Sequence, residues 1–92
     1  MNILVINAGS SSLKYQLVDV VENKILAKGL CERVGTAESF HKHGIDDNEV
    51  VHTQPLRDHT EAMQVVLASL TEDENPILES LSGINAVGHR IV

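Results

Sequence analysis

Tryptophan is absent from this 92-residue chain, and its only benzenoid side chains are Tyr15 and Phe40. The core must therefore be built from valine, leucine, isoleucine and alanine. A domain of this length buries only about 60–65% of its unfolded surface, so it is marginal without aromatics, a disulfide or a partner. No internal disulfide can help, because Cys31 is the one cysteine. Such a chain is expected to be intracellular. Cations are scarce as well: seven Lys and Arg face thirteen Asp and Glu, a formal net charge of -6. That balance argues against a general nucleic-acid binder, which needs surplus cations to displace counterions from phosphates. It argues equally against an anionic membrane surface. No basic segment leads into an apolar stretch, so no signal peptide is expected. The opening apolar run, Ile3-Leu4-Val5-Ile6, is far shorter than the roughly 20 residues of a membrane helix.

What is present is an ordinary apolar share, 42%, too high for a disordered tail. There are no internal repeats and no low-complexity tracts. Ile3 to Ile6 is apolar on both faces, which predicts a central strand covered on both sides. From Leu13 the pattern alternates, with Leu13, Tyr15 and Leu17 on one face, a half-buried strand of period two. Glu22-Asn23-Lys24 predicts a turn into a third strand, Ile25 to about Val34, and hence an antiparallel meander. Between Gly35 and Pro55 the signal is weaker. Gly44-Ile45-Asp46-Asp47-Asn48 reads as a hairpin loop between two short polar strands.

Asp58 then caps a helix, with Glu61 at capping-box spacing. Ala62, Val65, Val66, Ser69 and Leu70 form its buried stripe. Glu72 to Glu74 end it. Asn75-Pro76 predicts a second, short helix with Pro76 in its first turn, apolar at Ile77, Leu78 and Leu81 and closed by Gly83. Ile84 to Val92 reads as a return strand. A terminus inside an apolar strand is unusual, so the polypeptide is expected to continue in the intact protein.

The segment with the most chemistry is Asn7-Ala8-Gly9-Ser10-Ser11-Ser12-Leu13-Lys14. A glycine permits positive φ and close backbone approach to a ligand. Consecutive N–H groups in such a turn can form a nest for an anion. The serine hydroxyls add neutral donors, and Lys14 adds a point charge suited to phosphate. Asn7, at the end of a buried strand, can present an amide oxygen to hydrated Mg²⁺. The pattern is not a Walker A loop, which needs a second glycine before Lys-Ser/Thr and a helix after it. Here a strand follows, so a phosphate grip must sit in a hairpin turn. Most Gly/Ser turns, however, are plain surface turns.

Ile3 through Lys14 resembles the N-terminal signature of the acetate kinase (acetokinase) family, which includes propionate and butyrate kinases, without a break over twelve positions. Val87-Gly88-His89-Arg90-Ile91-Val92 resembles a second family segment, which in intact members runs on into His-Gly-Gly. The resemblance is weakest from Gly35 to Pro55. It implies an α/β fold: the N-terminal part of an actin-like lobe, ribonuclease H-like, of the superfamily of sugar kinases, Hsp70 and actin. The lobe combines an antiparallel meander, helices and a return strand, with residues 1–92 as a single incomplete domain. It implies transfer of the γ-phosphoryl of ATP to acetate, giving acetyl phosphate and ADP. It also implies Mg²⁺, a homodimer and a cytoplasmic location. By position, Asn7 helps place the metal, and Lys14 contacts ATP. Gly9, Ser10 and Ser12 belong to the phosphate turn, and Arg90 binds the carboxylate. An arginine fork suits bidentate contact with a carboxylate or a phosphoryl group, although a strand-end arginine paired with an acid would look the same.

Family members are several times longer. The catalytic aspartate, a second arginine, the metal-linked glutamate and the adenosine-binding domain have no counterpart here, so no catalytic residue is assigned. The 92 residues alone are expected to be inactive. Acetate, propionate and butyrate cannot be told apart from this stretch. A stand-alone phosphate-binding module without catalysis is the alternative from another class. A metal-binding hairpin is a third, because His41 and His43 share a strand face with His52 across the turn; the plainer reading is a solvated hairpin. Cys31 reads as a small strand residue rather than a nucleophile.

Overall fold

The computed structural model describes residues 1–45, 48–71, 77–78 and 80–91, with positions 81 and 89–91 described by their backbone. Six strands form one sheet: β1 (Asn2–Ala8), β2 (Leu13–Asp19), β3 (Lys24–Glu32), β4 (Phe40–Ile45), β5 (Asn48–Thr53) and β6 (Ala86–Ile91). One helix, α1 (His59–Thr71), and a single 3₁₀ turn at Leu81–Gly83 complete the described elements. The sheet order is β5-β4-β3-β2-β1-β6. The first five strands pair antiparallel in sequence order, as short connections favour. β6 returns parallel to β1 after the helical crossover, so β1 is interior.

The meander follows from local chemistry. β2 alternates strictly from Leu13 to Leu17, with Leu13, Tyr15 and Leu17 buried. The β2–β3 turn is closed by Asn23 at φ 53°, a left-handed position that asparagine tolerates. Asp19 Oδ1 accepts from the Val21 and Glu22 amides just before it. β3 starts at Lys24 and ends at Glu32, two residues short of the expected Val34. There Arg33, at φ 53°, and Gly35, at φ 90°, swing the chain off the sheet.

α1 begins where Asp58 caps it: Asp58 Oδ1 accepts the Glu61 amide at 2.9 Å. The reciprocal half of the box is shifted by one residue, with Glu61 Oε1 facing the Arg57 amide at 3.4 Å. Ala62, Val66 and Leu70 are the buried stripe, against Leu4, Ile6, Leu13, Leu17 and Ala27. Leu4, Leu17, Leu56, Val66 and Leu70 are at most 1% exposed. Each such side chain contributes roughly 1.5–3 kcal/mol relative to remaining in water.

Two expectations change. β1 is sealed on one face: α1 packs on the side of Leu4 and Ile6, while Ile3 and Val5 on the other side stay half-buried. The second helix is represented among the described residues by the 3₁₀ turn alone, which does end at Gly83. Its start at Asn75-Pro76, the acidic stretch Glu72 to Glu74, the hairpin tip Asp46-Asp47 and Val92 lie outside the described residues. No described helix is long and apolar enough to cross a membrane.

Candidate phosphate-binding turn

The β1–β2 connection, residues 9–12, is held from three directions. The Gly9 amide donates to Ser12 O at 2.9 Å, closing the turn. The Val34 amide, just past β3, donates to Ser11 O at 2.9 Å. His59, the first residue of α1, places Nε2 2.7 Å from Gly9 O and 3.2 Å from Ser12 O. Both partners are carbonyl oxygens, which only accept, so Nε2 carries the proton. The carbonyls of Gly9, Ser11 and Ser12 are thus bound within the chain. The amides of Ser10, Ser11 and Ser12 donate to no group among the described residues. Ser10 and Ser11 are exposed. A turn with bound carbonyls and open amides presents donors outward, the polarity an anion requires.

Gly9 serves this turn differently from expectation. Its φ is not in the left-handed region. Its value lies in close approach: a Cβ there would stand 2.8 Å from Ser12 Oγ.

Asn7, Lys14 and Arg90 come together in the ladder. Asn7 pairs with Lys14 on β2 and with Arg90 on β6, so the three occupy one row at the turn end of the sheet. Asn7 and Lys14 lie on the face away from α1. There Gln16, Lys28, Lys42 and Glu49 join them around a cavity of about 330 Å³. Lys42 is held by Glu49 at 3.1 Å. Lys14 and Lys28 have no ion-pair partner among the described residues. Asn7 Oδ1 is buried and has no hydrogen-bond partner among the described residues. An unanswered buried oxygen costs about 1–3 kcal/mol, and a neutral amide oxygen is a hard donor of the type Mg²⁺ takes, directly or through water. The donor present therefore fits the metal implied by the sequence.

The histidine expectation is overturned. His41 and His43 are 1% and 4% exposed, far from a solvated hairpin. The Tyr15 hydroxyl lies 2.8 Å from His41 Nε2 and contacts His43 Nδ1. His52 is exposed on the edge strand. Those ring nitrogens face a hydroxyl rather than a common ion, and no group of three His, Cys, Asp or Glu able to hold a metal occurs among the described residues. Gly29 makes room for this cluster, since a Cβ there would fall 2.2 Å from Lys42 O and 2.5 Å from the Tyr15 hydroxyl. Cys31 is fully buried, and burial pushes its thiol up to about 11. A thiol held neutral is a poor nucleophile, as expected.

Sequence reading missed His59. It lies 50 residues from Gly9, and as the first residue of a helix it carries no local mark of its contact.

An antiparallel meander closed by a parallel return strand, with a serine-rich turn beside its central strand, is the first part of an actin-like lobe. The crystal structure of Porphyromonas gingivalis acetate kinase superposes with a TM-score of 0.90 at 36% identity, covering 96% of this chain and 22% of that one. A propionate kinase from Francisella tularensis gives 0.84 at 27% identity, covering 99% of this chain and 22% of that one. Acetate kinase of Acetivibrio thermocellus is 52% identical over 93 residues, and that of Clostridium kluyveri 45% over 92. Each match covers all of this chain and 23% of the relative, so the chain spans about a quarter of the length of the curated relatives it matches. The profile of the acetokinase family matches residues 2–92. The chain belongs to the acetokinase family.

Proposed function

We propose that the full-length protein carrying this chain transfers the γ-phosphoryl of ATP to acetate, or to a close short-chain carboxylate, giving an acyl phosphate and ADP. The observation that carries this reading is the β1–β2 turn, with its carbonyls bound inside the chain and its Ser10–Ser12 amides open beside Asn7 and Lys14. Phosphoryl transfer is chiefly positioning and charge neutralisation. The amides of Ser10 and Ser12 and the Ser hydroxyls orient phosphate oxygens over Gly9, and Lys14 neutralises their charge. Asn7 Oδ1 would hold Mg²⁺ or one of its waters, and the metal would draw charge from the phosphate oxygens. Arg90, the register partner of Asn7 on β6, binds the carboxylate through its guanidinium fork. Family membership at 45–52% identity supports the reaction class. The propionate kinase neighbour keeps the choice among acetate, propionate and butyrate open to assay, since one methylene is worth only about 1–3 kcal/mol. Homodimeric assembly, a cytoplasmic location and inactivity of the 92 residues alone belong to the same reading.

The test is capture of acyl phosphate by hydroxylamine, with full-length protein, MgATP and each of the three carboxylates. Acyl hydroxamate formation that needs both ATP and carboxylate is expected. Arg90→Ala should raise the carboxylate KM by about tenfold or more, and Lys14→Ala should do the same for MgATP. No hydroxamate from any carboxylate by folded protein would sink the proposal.

A further inference from the structure

We infer that His59 is a positioning residue, which holds the β1–β2 turn in the shape that receives a phosphate group. The inference rests on the reading of that turn as the ATP phosphate site. In a trans peptide the C=O and the following N–H are coplanar and point oppositely. Fixing Gly9 O therefore fixes the direction of the Ser10 N–H. Fixing Ser11 O does the same for the Ser12 N–H. The first oxygen is held by His59 Nε2 at 2.7 Å and the second by the Val34 amide at 2.9 Å. The two donors approach from different parts of the fold, one from the start of α1 and one from the end of β3.

His59 is itself on a firm base. Asp58 caps the helix at the residue before it. Ala62, one turn on, is fully buried, as are Val66 and Leu70 beyond it. The histidine is half-buried, so its contact with the turn is partly shielded from competing water. Without it, nothing else among the described residues binds Gly9 O, and the peptide joining Gly9 to Ser10 is free to rotate. Rotation carries the Ser10 N–H away from the place a phosphate oxygen occupies. The ring meets the turn at the backbone oxygens of Gly9 and Ser12, so it acts through the backbone of the turn.

The experiment compares His59→Ala and His59→Gln with wild type in the full-length protein. MgATP binding is read by calorimetry, and KM for MgATP and for acetate by acyl phosphate formation. His59→Ala is expected to weaken MgATP about tenfold or more while the acetate KM stays within about twofold. Glutamine keeps an N–H donor at similar reach and should restore MgATP to within about threefold of wild type. If His59→Ala does not fold, His59→Asn replaces it; its amide ends near the position of Nδ1, short of Gly9 O, and should behave like alanine. Folded His59→Ala or His59→Asn that binds MgATP like wild type overturns the inference. So does glutamine that fails as badly as alanine. The kinase reading fails separately, if wild type binds MgATP and His59→Ala does not, yet no carboxylate yields acyl phosphate. Wild type that binds no MgATP overturns both.

Discussion

On the helix side of the sheet, alternate residues of β1 to β4 are sealed, and one hydroxyl there is shared by two buried imidazoles. Leu4, Leu17, Ala27 and Cys31 are buried under α1, and the Tyr15 hydroxyl sits between His41 and His43. On the other side, the residues between them in the same strands line an open cavity. Among the described residues Asn7 Oδ1 has no hydrogen-bond partner, and Lys14 and Lys28 have no ion-pair partner. One face is organised for cohesion, and the other keeps unspent polarity. The difference teaches where a ligand belongs. A chain of net charge -6 gathers three of its seven cations around one cavity, and the β1–β2 turn opens at the same end.

Substitutions can break or sharpen that contrast. The largest effect is expected at Gly29. Its added Cβ in Gly29→Ala meets the backbone oxygen of Lys42 at 2.2 Å, so two strands must part. A loss of about 3 kcal/mol or more is expected in denaturant melts. A near-neutral result would show that the Tyr15 cluster is loosely packed. Next is the Cys31 thiol. Its folded pKa, about 11, lies above the ordinary value of 9.0. Between those values the folded state keeps a proton that the unfolded state releases, so stability is full below pH 9 and falls as pH rises. The loss approaches roughly 2–3 kcal/mol by pH 11. It is read as the pH dependence of wild type minus that of Cys31→Ala, which removes the other titrating groups. Identical profiles would mean that the thiol is wetter than its burial indicates.

Smaller effects follow. Tyr15→Phe removes the hydroxyl shared by His41 and His43, for an expected cost of about 1–3 kcal/mol. The melt that measures it also tests whether the buried polar cluster contributes to cohesion; an unchanged midpoint would say that it does not. The smallest effect is expected on the open face, where Lys28→Gln should change stability by no more than about 0.5 kcal/mol. A large loss there would contradict the reading of that face as spare polarity.

Much of this architecture was legible in the sequence because its causes are local. Period-two alternation at Leu13, Tyr15 and Leu17 sets β2, and Asp58 with Glu61 sets the start of α1. Asn7, Gly9, Ser10, Ser12 and Lys14 are contiguous enough to read as one turn, and Arg90 joined them only through resemblance. What escaped depends on distant packing. His41 and His43 look like polar hairpin residues until α1 is laid near β4. The second face of β1 read as covered because Ile3 and Val5 are apolar, and sequence cannot say what packs on them. The use made of Gly9 depends on packing in the same way. Residue type says that glycine is permitted a special φ, but only the turn shows that close contact with Ser12 Oγ is what it uses.

The central place of β1 has a consequence for synthesis. Its antiparallel neighbour follows within a few residues, whereas its parallel neighbour pairs Ile3 with Ala86. The Asn2 amide likewise meets a side chain 83 residues further on. Ile3 meets Val18 on β2 and Ala86 on β6, so at about 5–20 residues per second the interval between the two pairings is roughly 3–14 s of translation. For that time the nascent chain holds a Val/Ile-rich strand with one bare edge. Its half-made sheet is therefore the stage at which a holdase chaperone has most to protect, and at which slow codons in the crossover segment would lengthen the exposure.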